Sequence, residues 1–266
     1  MFRKKNPAAM PEFVSFIFFD ETMKLDSSAI CESISKLLEA WGAGTSQVDL
    51  VSDEADQISL MIGDVSGVIL HRMPGSFPLN KLDLDDPNIE RVRNSVEHWV
   101  LTGLVEEQPI VRLIGLLHMS FVMQAIGMSH RVRALMLSPM GIVYRGSEWS
   151  EVVNQIVTKR LMPVRWWLGY DYLERDGRDG EGVVDVVSMY MDEVIGLPNV
   201  EIVGSRRSVE ETIDLLECGV LETVMRGPIQ KRGKVWETKT GVRFKVKWAE
   251  SVYDPSRKVV RLIEIR

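Results

Sequence analysis

Only two cysteines, Cys31 and Cys218, occur in 266 residues, which excludes a disulfide framework and a CxxC redox or metal pair. Both lie inside amphipathic helical patterns and are expected to be buried small hydrophobes in a reducing, cytoplasmic setting. No G-x-S-x-G pentad is present, so no serine elbow is spelled. Gly42-Ala43-Gly44-Thr45 follows a helical pattern where a phosphate-cradling loop would open one. The four histidines, His71, His98, His118 and His130, include no pair at zinc-ligand spacing. Arg3, Lys4 and Lys5 suggest a signal peptide, yet Pro7, Pro11 and Glu12 interrupt the chain directly after them, and residues 1–12 read as a flexible basic tail. The longest apolar run, Pro109–Gly127, carries Arg112, His118 and Gln124 and falls at the short end of a membrane span. A buried helix is the expectation, with no membrane partner.

The chain has ordinary globular composition, 45% hydrophobic and 26% charged, and is long enough to bury a substantial core. Phe13–Phe19 is aromatic and β-branched and reads as a strand. Asp26 offers a cap, and Ile30, Ile34, Leu37, Leu38 and Trp41 recur at helical spacing up to Gly42. Gln47–Val51, Ile58–Ile62 and Gly67–Leu70 are short strand candidates. Pro74–Asn88 reads as a connector. Beyond it come a strand at His98–Leu104, a helix at Gln108–Ala125, paired strands at Arg133–Leu137 and Gly141–Tyr144, and a helix from Ser147 to Lys159. Val164–Leu173 reads as a long strand, with further strands at Val183–Met189 and Val200–Val203. A helix at Val209–Arg226 precedes closing strands at Val242–Trp248 and Val259–Ile265. This order predicts an α+β fold, a mixed α/β sandwich with mostly antiparallel sheets and packed helices. Residues 13–80 and 97–266 would be two α/β subdomains, or one continuous domain.

His98-Trp99-Val100-Leu101-Thr102-Gly103 precedes a long apolar helix, and Leu161-Met162-Pro163-Val164-Arg165-Trp166-Trp167-Leu168-Gly169-Tyr170 precedes an acidic, Gly-rich turn. In these runs the chain resembles a bacterial family catalogued as domain of unknown function 4261, over roughly residues 13–246. The resemblance implies a bacterial cytosolic protein of mixed α/β structure; it brings no activity and no catalytic residues.

Individual residues offer limited chemistry. Asp83, Asp85 and Asp86 cluster, but an EF-hand counted from Asp83 would need glycine at Asn88 and glutamate at Asn94. Asp179 and Glu181 in the next acidic turn fare no better, so neither metal nor cofactor is expected. His118, among Leu116, Leu117, Met119 and Phe121, and His98 are the weak catalytic candidates. A desolvated imidazole lining a pocket could serve as a general base. On a strand at Val164–Tyr172, Trp167 and Arg165 would form an anchor pair for a partner.

Charge is the positive clue. The net charge is -6, which argues against general nucleic-acid affinity. Asp20–Asp64 holds ten acids against Lys24 and Lys36, whereas Arg226–Lys247 holds eight bases against Glu237. The acidic stretch, with Asp49, Asp53, Glu54 and Asp56, would steer a basic protein partner. The basic block, with Trp236 and Trp248, could touch phosphates instead. The expectation is a non-enzymatic protein-binding module, an immunity-type inhibitor or an adaptor for a secreted or toxic protein. A hydrolase with a histidine pocket is the alternative. The apolar helix and fourteen methionines leave a homodimer open.

Overall fold

The computed structural model describes residues 12–44, 47–77, 88–105, 108–138, 141–177, 180–226 and 235–265. The chain divides into two units, Met1–Pro163 and Val164–Arg266. The fold is α+β, as composition and element order imply.

In the first unit, β1 (Glu12–Phe19) leads to α1 (Ser27–Trp41), and β2 (Val48–Glu54), β3 (Gln57–Ile62) and β4 (Ser66–Pro74) form a meander. A short α2 (Ile89–Arg93) precedes β5 (Glu97–Val105), α3 (Pro109–Ser129), β6 (Val132–Leu137), β7 (Ile142–Tyr144) and α4 (Gly146–Lys159). The seven strands pair in the order β2-β3-β4-β5-β1-β6-β7, and every pairing is antiparallel. The expected boundary between residues 80 and 97 is therefore not where the chain divides. β5 pairs with β4 on one side and β1 on the other, which ties both halves of that expectation into one sheet.

Alternation along β1 supplies both faces of this sheet. Ile17 and Phe19 lie on the face that carries Trp99 and Leu135, against which α3 and α4 pack. Phe16 and Phe18 face the other way, into a cluster of Phe77, Val92, Ala134, Met136 and Val143. Gly103 permits the approach of α3 to β5, because a Cβ there would meet the Met119 side chain at 3.1 Å. α1 is bounded as its sequence signals: Asp26 accepts from the Ala29 N–H, and Gly42 closes the helix at φ 100°. α3 is long and apolar enough to cross a membrane, but 72% of its most apolar window is buried. Most of its apolar surface is used inside its own unit.

The second unit begins with a correction. Val164–Leu173 is not one strand: Val164–Trp167 forms one helical turn, α5, and β8 spans Tyr170–Asp176. Val164, Trp167 and Leu168 are buried together, the spacing of one helical face. Pro163 sits ahead of the turn and Gly169 behind it. The chain continues through β9 (Gly182–Ser188), α6 (Met191–Val194), β10 (Val200–Ser205), α7 (Val209–Arg226), β11 (Val235–Glu237), β12 (Arg243–Glu250) and β13 (Lys258–Ile265). The sheet runs β11-β12-β13-β10-β9-β8. Only β10 and β13 are parallel, which α7 and the β11–β12 hairpin allow by crossing over between them.

α7 starts with a capping box, in which Ser208 Oγ accepts from the Glu211 N–H and the Glu211 carboxylate accepts from the Ser208 N–H. It packs on β9 and β10. Its buried threonines, Thr212 and Thr223, donate to carbonyls one turn back, at Ser208 and Gly219. Cys218 is exposed and Cys31 half-buried, so neither is the buried hydrophobe expected.

Candidate functional site

The first unit carries a cleft of about 510 Å³ lined by Thr22, Met23, Lys24, Leu25, Asp53, Glu54, Ala55, Ile58, Arg72 and Trp99. Three segments build it: the link from β1 to α1, the β2–β3 hairpin end, and the adjoining stretches of β4 and β5.

Glu97 anchors it. This carboxylate is 2% exposed and accepts three hydrogen bonds: from Arg72 Nε at 2.8 Å, the Met23 N–H at 3.1 Å and Trp99 Nε1 at 3.1 Å. A buried carboxylate needs such donors, since burial without them is costly. One side chain thereby fixes the β1–α1 link, the Arg72 guanidinium and the Trp99 indole. Arg72 also reaches Asp56 at the hairpin turn, at 3.3 Å. With the guanidinium held between Glu97 and Asp56, Lys24 is the other cation that lines the cleft with Asp53 and Glu54.

A β-bulge aims Asp53 into the cleft. The β2–β3 register shifts between Leu50 and Ser52, so Leu50 pairs with Leu60 and Asp53 with Ile58. Leu60 and Ile58 share a face, and the extra residue, Val51, therefore turns Asp53 to the side where α1 packs. There it accepts from Ser27 Oγ at 2.6 Å. Plain alternation from Leu50 would have put Ser52 in that place. A second, contiguous cleft lined by Lys24, Leu25, Asp26, Ser27, Ser28 and Asp53 extends the first toward the start of α1.

Of the acidic residues read from the sequence, Asp53 and Glu54 line the cleft, and Asp56 reaches its Arg72. Asp49 does not line it; it pairs across from Met61 and accepts from Gln47. All four are exposed. Burial, and then Asp49 and Asp53, push the Cys31 thiol on α1 up, which keeps it protonated. Motif and charge-block reasoning misses Arg72, Glu97 and Trp99. Their signal is a charge at a core position: Arg72 continues the inward alternation of Val68 and Leu70, and Glu97 that of Trp99 and Leu101.

The other candidates are placed differently. Trp167 is fully buried, 0% exposed, and Arg165 is tied to α7 through Glu210 at 3.5 Å, Asp214 and Glu217. The expected anchor pair is therefore part of how α5 seats on α7. His98 packs against the rings of Phe18 and Phe77, with Nδ1 3.2 Å from the Gly75 carbonyl. Burial pulls its pKa down, partly offset by that hydrogen bond. His118 is enclosed in α3, its Nδ1 has no hydrogen-bond partner among the described residues, and burial alone lowers its pKa to about 4 from 6.5. Neither histidine lines the cleft.

Among the described residues no three His, Cys, Asp or Glu side chains converge as a metal site. Asp83, Asp85, Asp86 and Asp179 lie outside the described residues, and Glu181 pairs with Arg206. Fold and site together define an α+β protein with an acid-rimmed cleft on an antiparallel sheet. No family model, curated protein or solved structure matches the chain.

Proposed function

We propose that the chain is a non-enzymatic protein-binding module that captures a basic segment of a partner in the acidic cleft of its first unit. The observation that carries this reading is that the exposed Asp53 and Glu54 carboxylates line the cleft together with an Arg72 already matched by Glu97 and Asp56. An incoming lysine or arginine would meet carboxylates at the rim and the accessible apolar side chains of Met23 and Ala55 in the lining. A pocket of this kind holds the aliphatic stem and the charged head of such a side chain. Acidic residues on the rest of the β2–β3 hairpin, Asp49 included, would accelerate encounter with a basic surface.

In a bacterial cytoplasm this is the chemistry of an immunity-type inhibitor or an adaptor for a secreted or toxic protein. The histidine-based hydrolase is the second reading. Against it stand the low basicity of His118, set by burial alone, and the fact that neither candidate histidine is in the lining of the cleft.

Titration with a labelled arginine-rich peptide tests the proposal. Binding is expected to weaken as salt rises, and Asp53→Asn with Glu54→Gln should reduce affinity about tenfold. Equal affinity in that variant overturns the reading. Ester or amide hydrolysis that disappears in His118→Gln would establish the alternative.

A further inference from the structure

One strand of the second unit, β12, carries a row of charge of the opposite sign in a different geometry. On β12 the alternation places Arg243, Lys245 and Lys247 on one face, all exposed, and Phe244 and Val246 on the other, both buried. The register continues the cationic face sideways: Lys245 lies beside Val235 of β11 and Ile263 of β13, and Lys247 beside Arg261. Arg261 is matched by the buried Glu201 at 2.7 Å, and among the described residues Arg243 pairs with the exposed Glu237 at 3.7 Å. Among the described residues Lys245 and Lys247 make no ion pair. The result is a row of three cations on one strand face beside the partly exposed apolar side chains Val235, Ile263 and Ile265.

We infer that this face is a second binding surface, and that its occupant is an extended acidic polypeptide with carboxylates at every second position. Two residues of strand advance about 6.8 Å, so the cations repeat at the interval at which an extended peptide presents alternate side chains to one side. Each Glu or Asp of such a peptide would meet one cation, and the side chains between them would point away from the sheet to solvent. The same row could attract the phosphates of a single-stranded nucleic acid. That occupant is disfavoured because nucleic-acid grooves add aromatic rings on which bases stack. Here the aromatic residues of the hairpin, Trp236, Phe244 and Trp248, occupy the opposite side of the strand pair by alternation and register. The surface goes beyond the acidic cleft and does not depend on it. With both, the chain would join a basic partner to an acidic one.

The experiment uses the full chain and three labelled probes: a synthetic peptide with Glu at alternate positions, a peptide of the same composition with its Glu residues in one block, and an oligodeoxythymidine. Tightest binding is expected for the alternating peptide. The double variant Lys245→Glu/Lys247→Glu should lower that affinity at least about tenfold, and the milder Lys245→Gln/Lys247→Gln should lower it less. Both lysines are exposed, so circular dichroism and melting temperature should stay at wild-type values. Asp53→Asn/Glu54→Gln should leave this binding unchanged, which separates its failure from failure of the cleft. Equal affinity for the two peptides, tighter binding of the oligonucleotide, or insensitivity to the lysine changes overturns the inference.

Discussion

At the scale of single residues, the most consequential side chains are charges in places meant for apolar ones. Glu97 is enclosed and holds three donors, whereas Arg72 retains partial access to water, 26% for its side chain. The two partners are therefore unequal. Arg72→Met should cost about 3 kcal/mol, because it strands a buried carboxylate. Glu97→Gln should cost less, because Arg72 can turn toward solvent; chemical denaturation of both variants checks the order. His118 sets a pH dependence. Its folded pKa of about 4 lies below its ordinary 6.5, so the unfolded chain takes up the proton first as pH falls. The stability of the neutral imidazole is complete above about pH 6.5, and is lost between there and pH 4. The loss is on the order of 3 kcal/mol. In His118→Leu the fall in urea midpoint over that interval should be shallower; a wild-type slope would remove His118 as its cause. Asp53 and Glu54 are legible in the sequence as charge. Arg72 and Glu97 are not, since a lone charge in a strand looks like one solvent-facing position until its neighbours' faces are known.

At the scale of elements, spacing and caps carry far. Phe13–Phe19 falls within β1, and Asp26 and Gly42 bound α1 where their chemistry predicts. The short elements escape. α5 looks like strand in the sequence because Val164, Trp166 and Trp167 have strand-like composition, and one helical turn is too short for periodicity to outweigh composition. The bulge at Val51, 64% exposed, is equally hidden, because an extra residue in one strand shows only against its partner's register. Its role is testable: deleting Val51 restores plain alternation with Asp53 two positions from Leu50 and still on the face of Ile58, whereas deleting Val51 and Ser52 together turns Asp53 to the other face. Arginine-peptide affinity should stay near wild type in the single deletion and fall as far as in Asp53→Asn in the double one. In the second unit Gly219 is the point where α7 meets the sheet, a Cβ there lying 2.9 Å from Leu262 Cδ1. Gly219→Val should destabilise by roughly 2–3 kcal/mol despite the better helix propensity. Hydrogen exchange should show the loss in α7, β10 and β13.

At the scale of the whole molecule, the two units carry surfaces of opposite sign on differently built sheets. Net charge alone, at -6, conceals that division; the charge blocks along the sequence reveal it. The boundary expected from the sequence sits at a proline-rich connector, while strand pairing across that connector decides where the chain divides. That same pairing has a consequence for synthesis. β1 is the earliest described strand, yet it is an interior strand, flanked by β5 and β6. A ribosome making this chain releases Phe13, Phe16, Ile17, Phe18 and Phe19 long before Glu97–Val105 and Val132–Leu137 exist to cover them. For that interval the nascent chain exposes an aromatic strand whose one charge is Glu12, of the kind that aggregates. Products ending before β6 leave one edge of β1 unpaired, and they are expected to sediment as aggregates where the full chain stays in solution, which centrifugation of truncated translation products checks.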